Sequence, residues 1–372
     1  MQVRPITAEE HLAYIATRPS VSFLQTPAWG RVKSGWRHES LGWFDGDKLV
    51  GAGLMLLRKV PKVERYLSYL PEGPDLDWAN KDLVESSLEA LTSYAKSIGV
   101  FQIKMGPHVW TKRWDAEDLK NAIAQEMATK ISQVPASQTN EAGNELIKQL
   151  RECGWQQPDA VDAGFGDYQP RYVFQIALEG KSEENLFEGF NQLWRRNIRK
   201  ADKQGVTVRQ GTRSDLPAFH ACYVETAIRD QFTPRPLSYF EHMWDAMSAE
   251  DSERIAVYLA EHEEHEGAIA ATTMTRVGQH AWYSYGASTT AARDLRPSNA
   301  IQWAMIRDAL NVGACVYDMR GISDTLDSQN HLFGLIQFKL GTGGYAQEYV
   351  GEWDYVISPF WAKAFNFYMA RR

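Results

Sequence analysis

Lys339 is the residue best placed to do chemistry in this sequence. It ends the apolar run Leu332-Phe-Gly-Leu-Ile-Gln-Phe-Lys339 and stands just before the flexible Gly341-Thr-Gly-Gly344. An ammonium in such a run must snorkel to water, pair with a charge or face a polar cavity. Facing a cavity, it would stabilise an oxyanion during acyl transfer or hold a phosphate. The plainer reading is a lysine at the edge of a sheet. Asp318 and Arg320, within Cys315-Val-Tyr-Asp-Met-Arg-Gly-Ile322, are further charges at the end of an apolar run. Proteins of the α/β class commonly place their sites at such ends.

A second group is cationic. Arg195, Arg196, Arg199, Lys200 and Lys203 surround Asn197, and helical spacing leaves Arg196, Lys200 and Lys203 roughly on one face. That face suits a phosphate-rich partner such as RNA or anionic lipid, and equally an ordinary solvated helix. Arg235 lies between two prolines in Thr233-Pro-Arg-Pro-Leu237, on a stiffened backbone, and Lys33 follows Trp29 on a short helix. An Arg and a Lys converging on two phosphates would account for both; taken singly, each reads as a surface cation. His262 and His265 sit in a Glu-rich loop without metal-ligand spacing. Gly-x-Ser-x-Gly is missing, and Gly341-Thr-Gly-Gly344 has neither P-loop nor dinucleotide spacing. Nucleotide hydrolysis, hydride transfer, a resident metal and a cofactor are therefore not expected.

The elements that must position these residues form two similar cycles. Around Lys339 the chain reads as strand (from Trp282), polar turn, helix (Asn299 to Leu310), strand (Ala314 onward) and loop. Before it come a helix over Arg213 to Ile228, another over Ser238 to Ser248, and a hairpin of Arg254–Leu259 with Glu266–Arg276. The first cycle matches in order. Ser40–Phe44, an Asp45-Gly46-Asp47 turn and Leu49–Leu57 form a hairpin, followed by a strand at Tyr66, a helix over Asp82 to Ile98 and a strand at Val100–Met105. An acidic, glycine-bearing stretch after Trp155 leads into the second cycle. The expected architecture is mixed α/β in two domains: residues 1–167, completed by the tail 350–372, and residues 168–349.

Composition narrows the function classes. With 372 residues, 44% of them hydrophobic, the chain can bury two cores, and thirteen Trp and sixteen Tyr leave rings to line a groove. A net charge of -7 speaks against general attraction to nucleic acid. Cys153, Cys222 and Cys315 are too scattered for a disulfide framework, which fits a reducing cytoplasm. Neither a signal-type apolar segment nor a membrane-spanning run is evident, so a cytoplasmic chain able to work at a membrane surface is expected.

Several short segments together resemble one family. They are Phe23-Leu-Gln-Thr-Pro-Ala-Trp-Gly-Arg-Val-Lys33, Tyr69-Leu-Pro-Glu-Gly-Pro74, Trp194-Arg-Arg-Asn-Ile-Arg-Lys-Ala201 before Gly205-Val206, and Arg235-Pro-Leu-Ser-Tyr-Phe240. Tyr283-Ser-Tyr-Gly-Ala-Ser288, Tyr317-Asp-Met-Arg-Gly-Ile322 and Phe338-Lys339 before Glu348-Tyr-Val-Gly-Glu352 complete the set. Over nearly its whole length the chain resembles the Fem-type (FemABX) aminoacyltransferases that build the amino-acid branch or bridge of peptidoglycan. The resemblance implies two tandem GNAT-like (acyl-CoA N-acyltransferase-like) domains. It also implies transfer of an aminoacyl group from charged tRNA to the stem peptide of lipid II or UDP-MurNAc-pentapeptide.

By the same resemblance, Lys33 and Arg235 grip the precursor diphosphate, Tyr239 and Tyr285 line the groove, and Phe101 takes the place of a groove tyrosine. Phe338 and Lys339 match the reaction centre, and Arg195, Arg196, Arg199 and Lys200 are the implied tRNA contacts. No cofactor or metal is implied. The protein is expected to act as a monomer, peripherally at the cytoplasmic face of the membrane. Where some members carry an acidic residue after the strand of Phe101, this chain has Gly106-Pro107, which leaves Asp318 as a substitute acid or base. No heptad run between Ser238 and Arg254 could form the coiled-coil arm of the larger members. An acyl-CoA-dependent N-acyltransferase and a non-catalytic precursor-binding protein are the alternatives.

Overall fold

A computed structural model describes residues 1–158 and 169–369. The acidic, glycine-bearing stretch and the expected boundary at 167/168 lie outside the described residues. In chain order the strands are β1 (Gln2–Pro5), β2 (Arg37–Asp45), β3 (Lys48–Lys59), β4 (Tyr66–Leu70), β5 (Val100–Met105), β6 (Trp110–Asp115), β7 (Gln138–Thr139) and β8 (Tyr172–Ala177). There follow β9 (Thr207–Gly211), β10 (Ile255–Glu261), β11 (Ala268–Val277), β12 (His280–Ser288), β13 (Val316–Gly321), β14 (Tyr345–Tyr349) and β15 (Trp353–Val356). The helices are α1 (Ala8–Ile15), α2 (Pro27–Val32), α3 (Lys81–Ser97), α4 (Ala116–Ala124), α5 (Glu141–Glu152) and α6 (Glu183–Gly189). Next come α7 (Gln192–Lys203), α8 (Leu216–Asp230), α9 (Leu237–Glu250), α10 (Pro297–Asn311), α11 (Phe333–Leu340) and α12 (Pro359–Met369). Packing divides the chain into two units: Met1–Arg113, Ala136–Tyr172 and Gln347–Arg372 in the first, Trp114–Pro135 and Val173–Ala346 in the second.

The first unit is built on a mixed sheet of order β1-β2-β3-β4-β5-β15. β2 and β3 pair from Arg37↔Leu57 to Asp45↔Lys48, and Gly46 supplies the positive φ (58°) that their tight turn requires. β4 runs parallel to β5, so a crossover is needed between them, and α3 provides it. Asn80 caps α3 by accepting from the Leu83 N–H, and Val84, Leu88, Leu91 and Ala95 form its buried stripe. That stripe joins Trp43, Ile103, Trp155 and Trp353 in the core. β15 returns from the tail to pair with β5, and α12 then lays Ala362 and Phe365 over Phe101.

The second unit contains the strand run β8-β13-β12-β11-β10-β9. β9, β10, β11 and β12 pair antiparallel in succession, whereas β12 and β13 are parallel and joined through α10. Pro297 opens α10 at a position where no N–H is needed, and Ile301, Met305 and Ile306 are buried, as their spacing predicts. β12 and β13 pair only from His280↔Val316 to Trp282↔Asp318, although β12 continues to Ser288 and β13 to Gly321. Each strand also carries an irregularity beyond that point. β12 slips a residue against β11 at Ser284, and β13 shifts against β8 between Asp318 and Gly321, with Arg320 at φ 62°. The two parallel strands therefore part, and bulges of this kind commonly re-aim side chains beside active sites.

Candidate active site

Lys339 stands at the parted end of β13. It is carried by α11, not by a sheet edge: Phe333, Ile336 and Leu340 recur at helical spacing, and Lys339 falls among them on the buried face. Its position in the last turn also sets a cation near the negative end of the helix. Lys339 is only 3% exposed. Its Nζ donates to the carbonyls of Met319 (2.7 Å), Arg320 (3.1 Å) and Gly321 (2.7 Å), which matches the three N–H bonds of an ammonium. The lysine thus ties down consecutive carbonyls of β13 where the strand is irregular. Burial lowers its pKa to about 7, with Asp318 pulling the other way and Arg320 adding to the fall.

Asp318 is fully buried beside this cluster. Its carboxylate accepts from Gln175 Nε2 (2.9 Å) and from the Arg320 N–H (2.6 Å), and His280 Nε2 lies 3.5 Å away. Burial pushes the carboxyl up, but His280, Arg320 and Gln175 outweigh it and hold it at about 2. A carboxylate so engaged stays ionised at neutral pH, which suits electrostatic support of Lys339 better than proton transfer. His280 and Gln175 were not singled out from sequence. His280 is positioned by stacking on Trp282 at 4.0 Å, and Gln175 is one of the buried residues of β8.

Phe338, half-buried, faces Trp194 at 4.6 Å, and the Trp194 indole N–H donates to the Phe338 carbonyl (2.8 Å). The Trp194 motif therefore positions the residue next to Lys339. From the same helix, Arg195 donates to the Glu188 carbonyl and Arg199 lies over Phe187 at 5.2 Å. Arg196 and Lys203 are exposed and Lys200 is half-buried.

The Arg235 guanidinium lies 4.5 Å over the Tyr239 ring, and the Tyr239 and Tyr285 hydroxyls are 3.3 Å apart. Phe240 and Tyr223 pack edge-on against Tyr285. Tyr285 lies three residues past Trp282 on β12, and Gly321 three past Asp318 on β13. The Arg235–Tyr239–Tyr285 group and the Lys339 group thus stand at the same end of the parted pair.

In the first unit, Lys33 Nζ lies 4.6 Å over the Trp29 ring at the end of α2. Phe101 does not line a groove. It is completely buried, with Phe365 at 5.4 Å, because the tail helix covers it. Against Gly106, where the sequence lacks an acid, stands Glu352, whose Oε1 accepts from the Tyr69 hydroxyl at 2.5 Å. Glu72 lines the same small cavity. Both carboxylates come from distant segments, which is why spacing did not reveal them. Among the described residues no cluster suits a metal ion, and no helix is long and apolar enough to cross a membrane.

Comparison with known proteins gives this geometry its context. The lipid II:glycine glycyltransferase of Staphylococcus epidermidis is 27% identical over 418 aligned positions, covering 96% of this chain and 93% of that protein. Among solved structures, FemX superposes with a TM-score of 0.80 at 22% identity, covering 98% of this chain and 99% of its own. A tandem GNAT protein from the clavulanic acid biosynthesis pathway gives 0.52 at 11% identity, covering 96% and 99%. These likenesses bear out the tandem GNAT-like fold. The FemAB family model matches residues 6–263 and 248–369, so the match runs through both units and takes in the motifs around Lys33, Trp194, Arg235, Tyr285 and Lys339. The chain belongs to the FemAB family.

Proposed function

We propose that this protein transfers an aminoacyl group to an amine on the stem peptide of a peptidoglycan precursor, forming the branch or interpeptide bridge. The observation that carries this reading is the FemAB match along nearly the whole chain, joined to a buried, charge-supported lysine where β12 and β13 part. The donor in this reading is a charged tRNA, and the acceptor is lipid II, on which the staphylococcal relative acts by name.

A tRNA ester is already activated, so the enzyme has little bond-making chemistry to supply. The stem-peptide amine attacks the ester carbonyl and a C–N bond forms. The C–O bond to the terminal ribose then breaks, and the departing ribose oxygen takes up the amine proton, directly or through a substrate phosphate. Alignment and stabilisation of the tetrahedral oxyanion are what the protein must provide. Lys339 supplies positive charge at that point. Its bond to the Arg320 carbonyl is the longest of the three, and exchanging it would free one N–H for the oxyanion. Asp318 keeps the ammonium charged, and Phe338 packs against the acyl group.

Arg235, steadied over the Tyr239 ring, holds the precursor diphosphate. Arg235→Ala is expected to raise the precursor dissociation constant roughly 10-fold or more, as for loss of a charge-assisted bond, with turnover at saturation largely kept. An unchanged dissociation constant would remove Arg235 from the site.

Contact with the membrane face belongs to the same reading. Phe360 and Phe367, 71% and 59% exposed, are one heptad apart on α12, with Lys363 between them. The helix packs on Val60, in the segment that brings Arg58, Lys59, Lys62 and Arg65 close by in sequence. Aromatic rings beside clustered cations suit an anionic bilayer. Replacing both phenylalanines by serine should reduce sedimentation with phosphatidylglycerol vesicles at least several-fold. Undiminished sedimentation would move the contact elsewhere.

The reading is tested by incubating the purified protein with a total pool of charged tRNAs and each precursor form, then weighing the products. It expects a precursor heavier by one or more amino-acid residues, and ribonuclease should abolish the gain. Turnover of acyl-CoA with no use of any charged tRNA would replace it with ordinary N-acyl transfer.

A further inference from the structure

The last turn of α8 leaves apolar side chains in water close to the Arg235 group. Ile228 is 75% exposed, the highest value for any large apolar side chain among the described residues, and Phe232 is 41% exposed. Single exposed hydrophobics are ordinary, but these two are four positions apart, and Phe232 stands three residues before Arg235.

The way the helix ends aims Phe232. Gln231 takes a left-handed φ of 58°, which is unfavourable for a residue with a Cβ. The N–H groups of Gln231 and Phe232 both donate to the Ala227 carbonyl, and the chain turns back so that the Phe232 ring rests on Tyr223 at 5.5 Å. Tyr223 meets Tyr285 edge-on at 6.2 Å, and Tyr285 shares a hydroxyl contact with Tyr239, over which Arg235 lies. A continuous row of rings thus runs from the exposed Phe232 to the guanidinium. His220 Nε2 lies 3.0 Å from the Arg235 carbonyl and ties the intervening loop to α8.

Chemistry selects the occupant. Arg229 pairs with Asp230 at 2.9 Å, so the two charges cancel and Arg235 is left beside an apolar patch. An anionic bilayer surface is met by clustered cations. A nucleotide-linked precursor carries a ribose and a uracil beyond its diphosphate, which call for polar partners. A polyprenyl chain begins at the second phosphate itself, so apolar surface must follow directly on the group that grips the diphosphate. Ile228 and the open side of Phe232 offer that surface.

We infer that the end of α8 receives the first isoprenyl units of a polyprenyl diphosphate, so that the second unit favours a lipid-linked acceptor over a nucleotide-linked one. The inference rests on the reading of Arg235 as the diphosphate site given above and assigns the acceptor's chain a place.

The test is calorimetric binding of farnesyl diphosphate and of inorganic diphosphate to wild type, Ile228→Ser and Phe232→Ser. Ile228 is exposed enough for its replacement to leave the fold intact, and circular dichroism melts check both variants. Wild type is expected to bind farnesyl diphosphate at least about 10-fold more tightly than diphosphate, and each variant to lose about 3- to 10-fold of that advantage with diphosphate binding unchanged. In steady-state transfer the KM for lipid II should rise by the same factor, and that for UDP-MurNAc-pentapeptide should stay as it was. Equal affinity for the two probes in wild type, or an advantage kept in both folded variants, overturns the inference and leaves the proposed function standing. Variants that lose sedimentation with phosphatidylglycerol vesicles yet keep the farnesyl advantage would assign the patch to the bilayer and overturn it too. Wild type that transfers to neither precursor form overturns the proposed function, and the farnesyl result is read independently of that outcome.

Discussion

Lys339→Met is expected to lower turnover by about 100- to 1000-fold at neutral pH, the range found when one donor to an oxyanion is removed, with precursor affinity little changed. The methionine fills nearly the same volume, so α11 should keep its buried face. What is lost is the positive charge and the three bonds to Met319, Arg320 and Gly321. Two pH signatures accompany the change. In the folded chain Lys339 titrates at about 7, against 10.5 for an ordinary lysine, so between those values the unfolded chain binds more protons. Wild-type stability should therefore rise with pH across that interval by a contribution that is missing below about 7, and the variant should lack this slope. Catalysis should run the other way, falling as the ammonium deprotonates above about 7. Unchanged turnover in the variant would reduce Lys339 to a support for β13.

Asp318→Asn should act through the same ammonium. The carboxylate raises the Lys339 pKa, and an opposite charge at close range is worth roughly 1–3 pH units. Its removal should move the alkaline limb of the rate profile to lower pH by that amount. Activity near pH 7.5 would then drop about 10- to 1000-fold and recover substantially on acidification. A general base would behave differently, because its loss lowers the rate at every pH. Stability should also fall, by about 3–5 kcal/mol, because one partner of a buried, mutually supporting set is gone. An unmoved limb with uniformly reduced activity would restore Asp318 as the acid–base group.

The parts of the fold that were legible in the sequence are those with strong local signals. The Asp45-Gly46-Asp47 turn, the α3 stripe and the Ile301–Ile306 spacing each settle an element within a few residues, and their repetition in order gave the duplicated mixed α/β architecture. Lys339 stood out because an ammonium in an apolar run needs an explanation. Its explanation was not local: the acceptors are carbonyls of Met319 to Gly321, and a backbone oxygen carries no sequence signal. The helix around it was masked by an almost wholly apolar run, in which only Gly334 and Gln337 mark the exposed face. Phe101 was a groove residue by resemblance alone; the return of the tail to the first domain was expected, but that α12 would lay Phe365 on Phe101 carried no local signal. Glu352 stands 280 residues or more from Tyr69, its hydrogen-bond partner, and such pairings lie beyond any spacing rule.

In the proposed reaction the aminoacyl ester is attacked at the parted end of β12 and β13, against Lys339. A crystal structure of the protein with lipid II's soluble head portion and a non-hydrolysable aminoacyl-nucleoside would locate that point. The expected result is Lys339 Nζ within about 3.5 Å of the oxygen that stands for the ester carbonyl, with the Arg320 carbonyl released. Finding Lys339 still bonded to all three carbonyls, with the reacting groups met elsewhere in the chain, would contradict it.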